Sequence, residues 1–466
     1  MKLRMKIGAA IATAAILAPV ASTVAFAGTA LDGTGATFPA NMYDICAAQY
    51  NRSSLANPNK DTVAYVSPTG SGAGKTAFTG QTKVWAGTDS LYTSGAPTFS
   101  YVYVPLISGA ISVMYRLDGV TPAGSQVRLS PLTVGKIFAG QIKTWNDAAI
   151  VADNTATTTK AVTKVAKKGV TVSAKLSGTK VAFSIVGTPA ALKTFKGKMV
   201  KIARTTTSGT NTTTSDIYNK ALTAKGAASF AYQKGATYAV KVGTTTLGSV
   251  SVDDTVSGVT LTLPATPIKV AYRSSTSGTT NNFTNFLNKA VGSIWTTAAN
   301  DSFTTAFPGG SSAVPADGTF QAVSGSDGVA NYVKDNNGAI TYTELSYVEE
   351  RKTASIQSAA IKNNAGVYVA PSSKATAAFY AEAVVNADGS VTPDYTVAAA
   401  DAYLINAVSY GLGATAASTT NTAVAAWFNY VLTKCAPSAA EGAFYAPLSG
   451  SILAKAIAQA AKVGAS

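Results

Sequence analysis

Three turns rich in glycine and hydroxyl residues stand directly before stretches with the apolar spacing of helices, at residues 33–39, 69–74 and 273–279. A helix N-terminus has unpaired N–H groups and a partial positive charge, which suit an anion. Glycines let the backbone approach a ligand closely, and Ser/Thr hydroxyls add donors. Arg273 adds a planar, permanently charged group suited to a tetrahedral oxyanion. One such turn usually only connects elements, but the three together predict an oxyanion site.

The second of these turns also looks like a nucleotide-binding P-loop, because a lysine and a threonine follow its glycines at positions 75 and 76. A P-loop needs glycine six residues before the lysine. That position is Thr69, and Gly70 comes one residue too late. The sequence therefore argues against nucleotide binding here.

The 466 residues include no histidine. This excludes Ser-His-Asp and Cys-His nucleophile pairs, metal sites with histidine ligands and histidine bases. Two cysteines are too few for a Cys₄ zinc site. We therefore expect no cofactor, no metal and no catalysed reaction. A phosphatase acting through Ser or Thr is the enzymatic alternative, and the sequence offers it no obvious base.

Residues 1–27 have the pattern of an export signal, with a basic start, a short apolar stretch and Ala25-Phe26-Ala27 before the cleavage point. No cysteine lies near that point to carry a lipid anchor, so the mature protein is expected in a periplasm or outside the cell. In such an oxidising compartment Cys46 and Cys435 are predicted to form one disulfide. Two separately buried thiols are the alternative.

The excess positive charge is confined to residues 155–266, which carry fifteen Lys/Arg and three Asp. The rest of the mature chain carries nineteen residues of each sign. Alternating apolar residues at 170–176 and 259–263 predict half-buried strands, and regularly spaced glycines predict turns. We interpret the segment as an inserted, immunoglobulin-like β-sandwich. It is either a solvated spacer or a binder of an anionic envelope polymer, whereas no nucleic-acid partner is expected.

The elements that would hold the three turns alternate between strand-like and helix-like runs of residues. Residues 101–107 and 111–115 have the composition of strands, and residues 132–138, 329–333 and 452–460 have helical spacing. The pattern predicts an α/β protein whose core is interrupted once by the β insert.

Motifs along the chain resemble those of the exported phosphate-binding proteins that feed ABC phosphate importers. The similar segments are Gly33-Thr-Gly-Ala-Thr-Phe-Pro39, Gly70-Ser71-Gly72, Ala86-Gly87-Thr88-Asp89, Lys143-Thr144-Trp145-Asn146-Asp147, the loop 273–279, Gly338-Ala-Ile-Thr-Tyr342 and Tyr445-Ala-Pro-Leu448. Their order and spacing agree with that family once the basic insert is removed. The resemblance covers nearly all of residues 30–152 and 267–462.

The resemblance implies a phosphate site that is assembled from both halves of the chain. The implied phosphate-binding residues are Thr37, Phe38, Ser71, Asp89, Arg273, Ser277, Gly278 and Thr279. One position departs from the family pattern: the family commonly has Asp two residues after the arginine, where it holds the guanidinium, and this chain has Ser275. The orientation of Arg273 is therefore in question, whereas the ligand class is not.

Within this implied site, the carboxylate of Asp89 can distinguish phosphate from sulfate. Phosphate near neutral pH still carries a proton, so its P–OH can donate a hydrogen bond to a carboxylate. Sulfate carries none and would meet a bare carboxylate, with an unpaired buried acceptor and like-charge repulsion. We therefore expect Asp89 to select phosphate over sulfate. An ordinary turn or cap residue is the alternative role.

The resemblance further implies an α/β, two-lobed, class II periplasmic-binding-protein fold with the all-β insert. Lobe 1 is predicted at 28–104 and 347–466, lobe 2 at 105–154 and 267–346, and the insert at 155–266. Hinge strands are expected near residues 101–106 and 340–345. The implied partners are inorganic phosphate and the membrane subunits of an ABC importer. A surface or adhesive protein that uses the basic insert is the alternative function.

Overall fold

The computed structural model of the protein describes residues 28–466 apart from short gaps, and the predicted export signal lies outside the described residues. The gaps are residues 160–161, 168, 178, 189, 191–192, 194–197, 209–210, 222–226, 234, 253–254, 258 and 382. Across the part of the chain so described, no helix has both the length and the apolar character to span a bilayer.

The chain alternates strands and helices on either side of an all-β segment. The strands are β1 (Ala30–Gly35), β2 (Thr62–Tyr65), β3 (Trp85–Thr88), β4 (Tyr101–Arg116), β5 (Arg128–Leu129), β6 (Thr157–Thr159), β7 (Val162–Lys167), β8 (Val170–Ser177), β9 (Lys180–Gly187), β10 (Met199–Ser208), β11 (Asn211–Ala221), β12 (Ala227–Ala231), β13 (Thr237–Val242), β14 (Thr245–Ser251), β15 (Thr255–Ser257), β16 (Lys269–Arg273), β17 (Phe320–Val323), β18 (Ala339–Glu344), β19 (Ile356–Ser358), β20 (Ala360–Lys362), β21 (Tyr368–Val369), β22 (Val384–Val385), β23 (Val391–Thr392) and β24 (Asn406–Ala414). The α-helices are α1 (Ala40–Arg52), α2 (Ser71–Thr79), α3 (Pro131–Phe138), α4 (Ala148–Asp153), α5 (Gly278–Ala290), α6 (Phe303–Ala306), α7 (Gly325–Asp335), α8 (Leu345–Glu349), α9 (Ser373–Tyr380), α10 (Thr419–Tyr430), α11 (Ala436–Ala439) and α12 (Gly450–Ala460), with a π-helical turn at Val431–Cys435.

A mixed sheet in the order β17-β16-β18-β4-β24-β3-β1-β2 forms the frame, and β19 also pairs with β4. Strand β4 pairs antiparallel with β24 over residues 101–110 and with β18 over residues 111–115. The two strands predicted at 101–107 and 111–115 are therefore one strand of 16 residues, buried except at its ends. Because β4 takes part in both halves of the sheet, it joins the two lobes of an α/β fold, as the resemblance implied.

The basic segment is a β-sandwich of two four-stranded sheets, β12-β9-β8-β7 and β11-β10-β13-β14. Apolar side chains of both sheets, such as Val172, Phe183 and Val240, form one hydrophobic core that is separate from the core of the α/β part. Strand β8 confirms the alternation at 170–176. Strands β6 and β15 pair antiparallel where the chain enters and leaves the sandwich, and this two-stranded connection is called the neck. Its immunoglobulin-like type stays a prediction.

The strand predicted at 259–263 does not form. Leu261 and Leu263 are buried in the core of the α/β part, and the segment pairs with it only through an isolated bridge between Thr121 and Thr262. Val259, the first of the three alternating apolar residues, is 57% exposed, and no described strand continues the ladder. The alternation therefore predicted the burial of Leu261 and Leu263 correctly, but it was wrong for Val259, for the type of element and for the core that the segment joins.

A disulfide joins Cys46 in α1 to Cys435 at the end of the π-helical turn, with a Cα–Cα distance of 5.6 Å. Both cysteines are fully buried. The link fastens the helix that follows the first glycine turn to the C-terminal helices across 389 residues of sequence.

Candidate functional site

The three glycine turns each precede a helix, and the three helices begin at one place between the lobes. Helix α2 starts at Ser71, α5 starts at Gly278, and α1 starts three residues after Thr37. Gly70 before α2 has φ 150°, and a Cβ there would lie 2.4 Å from the carbonyl oxygen of Thr276. Only glycine therefore allows the second and third turns to approach each other this closely.

Ser71 connects the two lobes through its hydroxyl oxygen. That oxygen accepts hydrogen bonds from the backbone N–H of Gly278 at 3.1 Å and of Asp89 at 3.0 Å. The Asn282 side chain adds a hydrogen bond to the Asp89 carbonyl at 2.6 Å. Ser71, Asp89 and Gly278, which the sequence predicted at one site, are therefore in mutual contact in a closed cleft.

The carboxyl group of Asp89 is almost completely buried, and its Oδ1 has no hydrogen-bond partner among the described residues. The pKa of Asp89 is raised to about 8, mainly by burial and also by the negative charges of Glu344 and Asp301, whereas the Ser409 hydroxyl and the positive charge of Arg273 lower it. A buried carboxyl group with a raised pKa and an unpartnered oxygen suits a ligand with which it can share one proton.

Arg273 is 2% exposed, at the end of β16, and its guanidinium carries the second unpartnered atom of the site. Its Nη1 donates to Ser326 Oγ at 3.1 Å and its Nη2 to the Thr69 carbonyl at 3.4 Å, whereas Nε has no partner in the described part of the chain. Ser275, at the position where the family commonly has Asp, bonds through its hydroxyl to the Thr69 carbonyl instead. The candidate site thus contains an unpaired donor and an unpaired, protonatable acceptor on two side chains that interact electrostatically.

The remaining predicted residues lie at the same cleft in different roles. The Ser277 side chain caps α5 by accepting from the Thr280 N–H at 3.3 Å. Thr279 donates to a carboxylate oxygen of Glu344 at 3.2 Å. The ring of Phe38 packs edge-on against Tyr445, whose hydroxyl donates to the Phe38 carbonyl. The ligand role of each of these residues stays a prediction.

Two site residues, Ser326 and Glu344, were missed by the sequence analysis. Ser326 Oγ lies 2.7 Å from Thr37 Oγ1 and donates to Glu344 Oε1 at 2.8 Å. A signal for Ser326 existed, because residues 324–326 are a fourth Gly/Ser run, at the start of helix α7. Glu344 follows the family-like motif at 338–342 by two residues, and no pattern distinguished it from an ordinary surface glutamate.

The rim of the cleft holds an ion pair between the lobes. Lys75 Nζ lies 2.8 Å from Asp301 Oδ2, and Ser90 Oγ donates to the same oxygen at 2.9 Å. The lysine that resembled part of a P-loop is therefore used to join the lobes. Across residues 28–466, outside the gaps, no cluster of three or more acidic or cysteine side chains could hold a metal ion.

Comparison with known proteins identifies relatives of this architecture. A family model described as a PBP superfamily domain matches residues 20–155 and 147–434. The phosphate-binding protein PstS of Xylella fastidiosa is 35% identical over 137 residues, 29% of this chain and 33% of that protein. Phosphate-binding protein PstS 3 of Mycobacterium leprae is 35% identical over 100 residues, 21% of this chain and 24% of that protein. The matches thus span about a third or less of these relatives.

A solved structure extends the comparison to the whole chain. The crystal structure of the ancestral soluble variant of the Human Phosphate Binding Protein aligns with a TM-score of 0.55 and 18% identity, and covers 92% of this chain and 93% of that one. At this identity the likeness concerns the fold. Because the family model extends over most of the sequence, the chain belongs to the PBP superfamily.

Proposed function

We propose that the protein is an exported solute-binding protein that captures inorganic phosphate between its lobes and delivers it to an ABC importer. One observation carries the proposal: the cleft region buries both an arginine with an unpartnered Nε and an aspartate with an unpartnered Oδ1, and the two side chains interact electrostatically. A singly or doubly ionised phosphate satisfies both atoms, because its oxygens accept from Arg273 and one proton can be shared with Asp89.

The backbone around these two side chains favours the same ligand. The N-termini of α1, α2 and α5 converge on the cleft and supply partial positive charge without further full charges. Thr37, Ser71, Ser277 and Thr279 supply hydroxyl groups around it. A tetrahedral oxyanion has enough acceptor oxygens to use several of these donors at once.

Delivery depends on a difference between open and closed forms. Ligand contacts from both lobes stabilise the closed form, and a membrane transporter can recognise that form. The names of the relatives, phosphate-binding protein PstS, support phosphate as the ligand. The proposal includes export through residues 1–27, membrane subunits of an importer as partners, and no catalysed reaction.

The test is calorimetry of the purified chain without residues 1–27 against phosphate, arsenate, sulfate and molybdate. We expect tight binding of phosphate and of arsenate, which has the same shape and protonation, and much weaker binding of the two others. Arg273→Ala serves as the matched control and should bind phosphate weakly. Tighter binding of sulfate than of phosphate would contradict the proposal.

The basic insert supports a second proposed role, which is binding of an anionic envelope polymer. Lys201 of β10 and Lys241 of β13 are exposed and directly opposite each other in the sheet. Like charges in such pairs repel, and a bound polyanion relieves the repulsion. Sedimentation of the full chain with envelope fragments should decrease in the Lys201→Gln, Lys241→Gln variant. The variant Lys462→Gln, an exposed lysine outside the insert, is the control, and equal sedimentation of all three proteins would contradict this role.

A further inference from the structure

We propose that Ser326 and Glu344 form a hydroxyl–carboxylate bridge that orients Arg273 and Thr37 for the ligand, in place of the carboxylate that the arginine loop lacks at Ser275. This inference rests on the proposed phosphate site and assigns positioning residues to it.

The described hydrogen-bond partners of the Arg273 guanidinium are uncharged. Among the residues that the structure describes, no ion pair joins its guanidinium to a carboxylate, and its Nη1 donates to Ser326 Oγ at 3.1 Å. Ser275 cannot replace that partner, because its hydroxyl bonds to the Thr69 carbonyl. Apart from the 3.4 Å contact between Arg273 Nη2 and the Thr69 carbonyl, Ser326 is therefore the described group that holds the guanidinium.

The hydrogen bonds around the Ser326 hydroxyl can run in one direction only. The hydroxyl has one proton, and Oγ contacts Arg273 Nη1, Thr37 Oγ1 and Glu344 Oε1. Arginine can only donate and a carboxylate can only accept. Ser326 therefore donates to Glu344 and accepts from both Arg273 and Thr37, so that one carboxylate sets the direction of the whole chain of bonds.

Glu344, which accepts the hydrogen bond from Ser326, is itself buried and hydrogen-bonded to two further residues. It is 1% exposed at the end of β18, where the carboxylate also accepts hydrogen bonds from Thr279 at 3.2 Å and Thr343 at 2.9 Å. A buried carboxylate beside an anion site is costly unless its hydrogen bonds are satisfied. Its partners include Thr279 directly and, through Ser326, Thr37 and Arg273, so it contacts or organises three predicted ligand residues at once.

The bridge also explains how this chain can have Ser275. A carboxylate bonded directly to the guanidinium would neutralise part of its charge, whereas a hydroxyl between the two leaves Arg273 more strongly charged towards the ligand. Because Thr37 belongs to the first half of the chain and Ser326 to the second, the hydrogen bond between these two hydroxyls forms only when the cleft is closed.

The experiment is a rescue measured by calorimetry of phosphate binding to the full chain. Ser326→Ala should weaken binding by about tenfold to a hundredfold, since it leaves a buried charged group without its partner. Ser275→Asp in that background should restore most of the loss, because it returns a carboxylate to the arginine loop, whereas Ser275→Asp alone should add little. Thr341→Val is the matched control, since it removes another buried hydroxyl, one that donates to the Ala271 carbonyl.

Two results would overturn the inference: wild-type affinity in Ser326→Ala, or a loss that Ser275→Asp does not repair. Crystal structures of the wild type and Ser326→Ala supply a readout that needs no ligand, because the guanidinium of Arg273 should shift by more than about 1 Å, a scale at which ligand geometry is lost. An unmoved guanidinium would overturn the inference. A wild-type chain that does not bind phosphate contradicts the proposed function instead, and the crystal comparison still decides the role of Ser326.

Discussion

At the scale of single residues, the candidate site combines one permanently charged donor with one buried carboxyl group whose pKa is raised. Arg273 attracts any oxyanion, and on its own it does not distinguish phosphate from sulfate. In the proposed site Asp89 makes the distinction when its carboxyl group is ionised, because its Oδ1 lacks a partner within the described residues and an ionised carboxylate requires a donor, which sulfate does not offer. Selectivity and affinity are therefore assigned to different side chains, and substitutions should separate them.

Asp89→Asn should reduce the preference for phosphate over sulfate by at least about tenfold, because an amide donates to either anion and no buried acceptor is left unpaired. Arg273→Ala should instead weaken binding of both anions in similar proportion. Competition titrations with the two anions measure the preference directly. An unchanged preference in the Asp89 variant would show that proton sharing is not the basis of selectivity.

The same carboxyl group predicts a pH dependence of stability in phosphate-free buffer. The pKa of Asp89 is raised from 3.8 to about 8, so the folded chain retains a proton that the unfolded chain releases in this range. The contribution of Asp89 to stability is therefore complete below the lower value and is lost as pH rises through the higher one. Thermal unfolding between pH 4 and pH 9 should show this decline, and it should be smaller in Asp89→Asn. Parallel profiles for the two proteins would contradict the assignment.

Much of the site could be predicted from the sequence, because glycine–hydroxyl turns before helices are local features. The eight residues that the resemblance implied lie around one cleft in the structure, and their role in ligand binding stays a prediction. Ser326 and Glu344 could not be identified in the same way, since their roles depend on contacts between segments that are far apart in the chain. Strand β4 and the segment 259–263 show the same limit for the fold: two predicted strands are one, and a third does not form, because continuity and pairing depend on the tertiary structure.

At the scale of elements, closure depends on how closely α5 approaches the loop of Asp89 and the start of α2. Gly278 is the first residue of α5, and a Cβ there would lie 2.5 Å from Ser71 Oγ and 2.6 Å from the Cβ of Asp89. These distances are too short for any side chain. The glycine is thus needed for the fit of the two lobes as well as for access of the backbone to the ligand.

Gly278→Ala should therefore weaken phosphate binding by about a hundredfold or more, because the closed form can no longer be reached without displacing Ser71 or Asp89. Small-angle scattering should show no compaction when phosphate is added. Gly442→Ala is the control, since a Cβ at that position meets no atom within 4 Å. Full compaction of the Gly278 variant at wild-type phosphate concentrations would contradict this account.

At the scale of the whole molecule, the insert and the α/β part are two separately packed units on one chain. The sandwich has a hydrophobic core of its own, and every predicted site residue belongs to the other core or its cleft. The neck is narrow: β6 pairs with β15, and the backbone N–H of Leu261 donates to the Asn154 carbonyl at 2.8 Å. The fold thus keeps the excess positive charge apart from the elements that form the candidate site.

Replacing residues 158–256 with a short glycine–serine turn should leave phosphate affinity within about twofold of the wild-type value, because Thr157 and Ser257 are directly paired and the core of the α/β part loses no side chain. Calorimetry measures the affinity, and circular dichroism verifies that the shortened chain folds. The same protein should lose whatever sedimentation with envelope fragments the full chain shows. A folded, shortened chain with phosphate affinity reduced tenfold or more would mean that the insert contributes to the cleft, and the separation of roles between the two units would then be wrong.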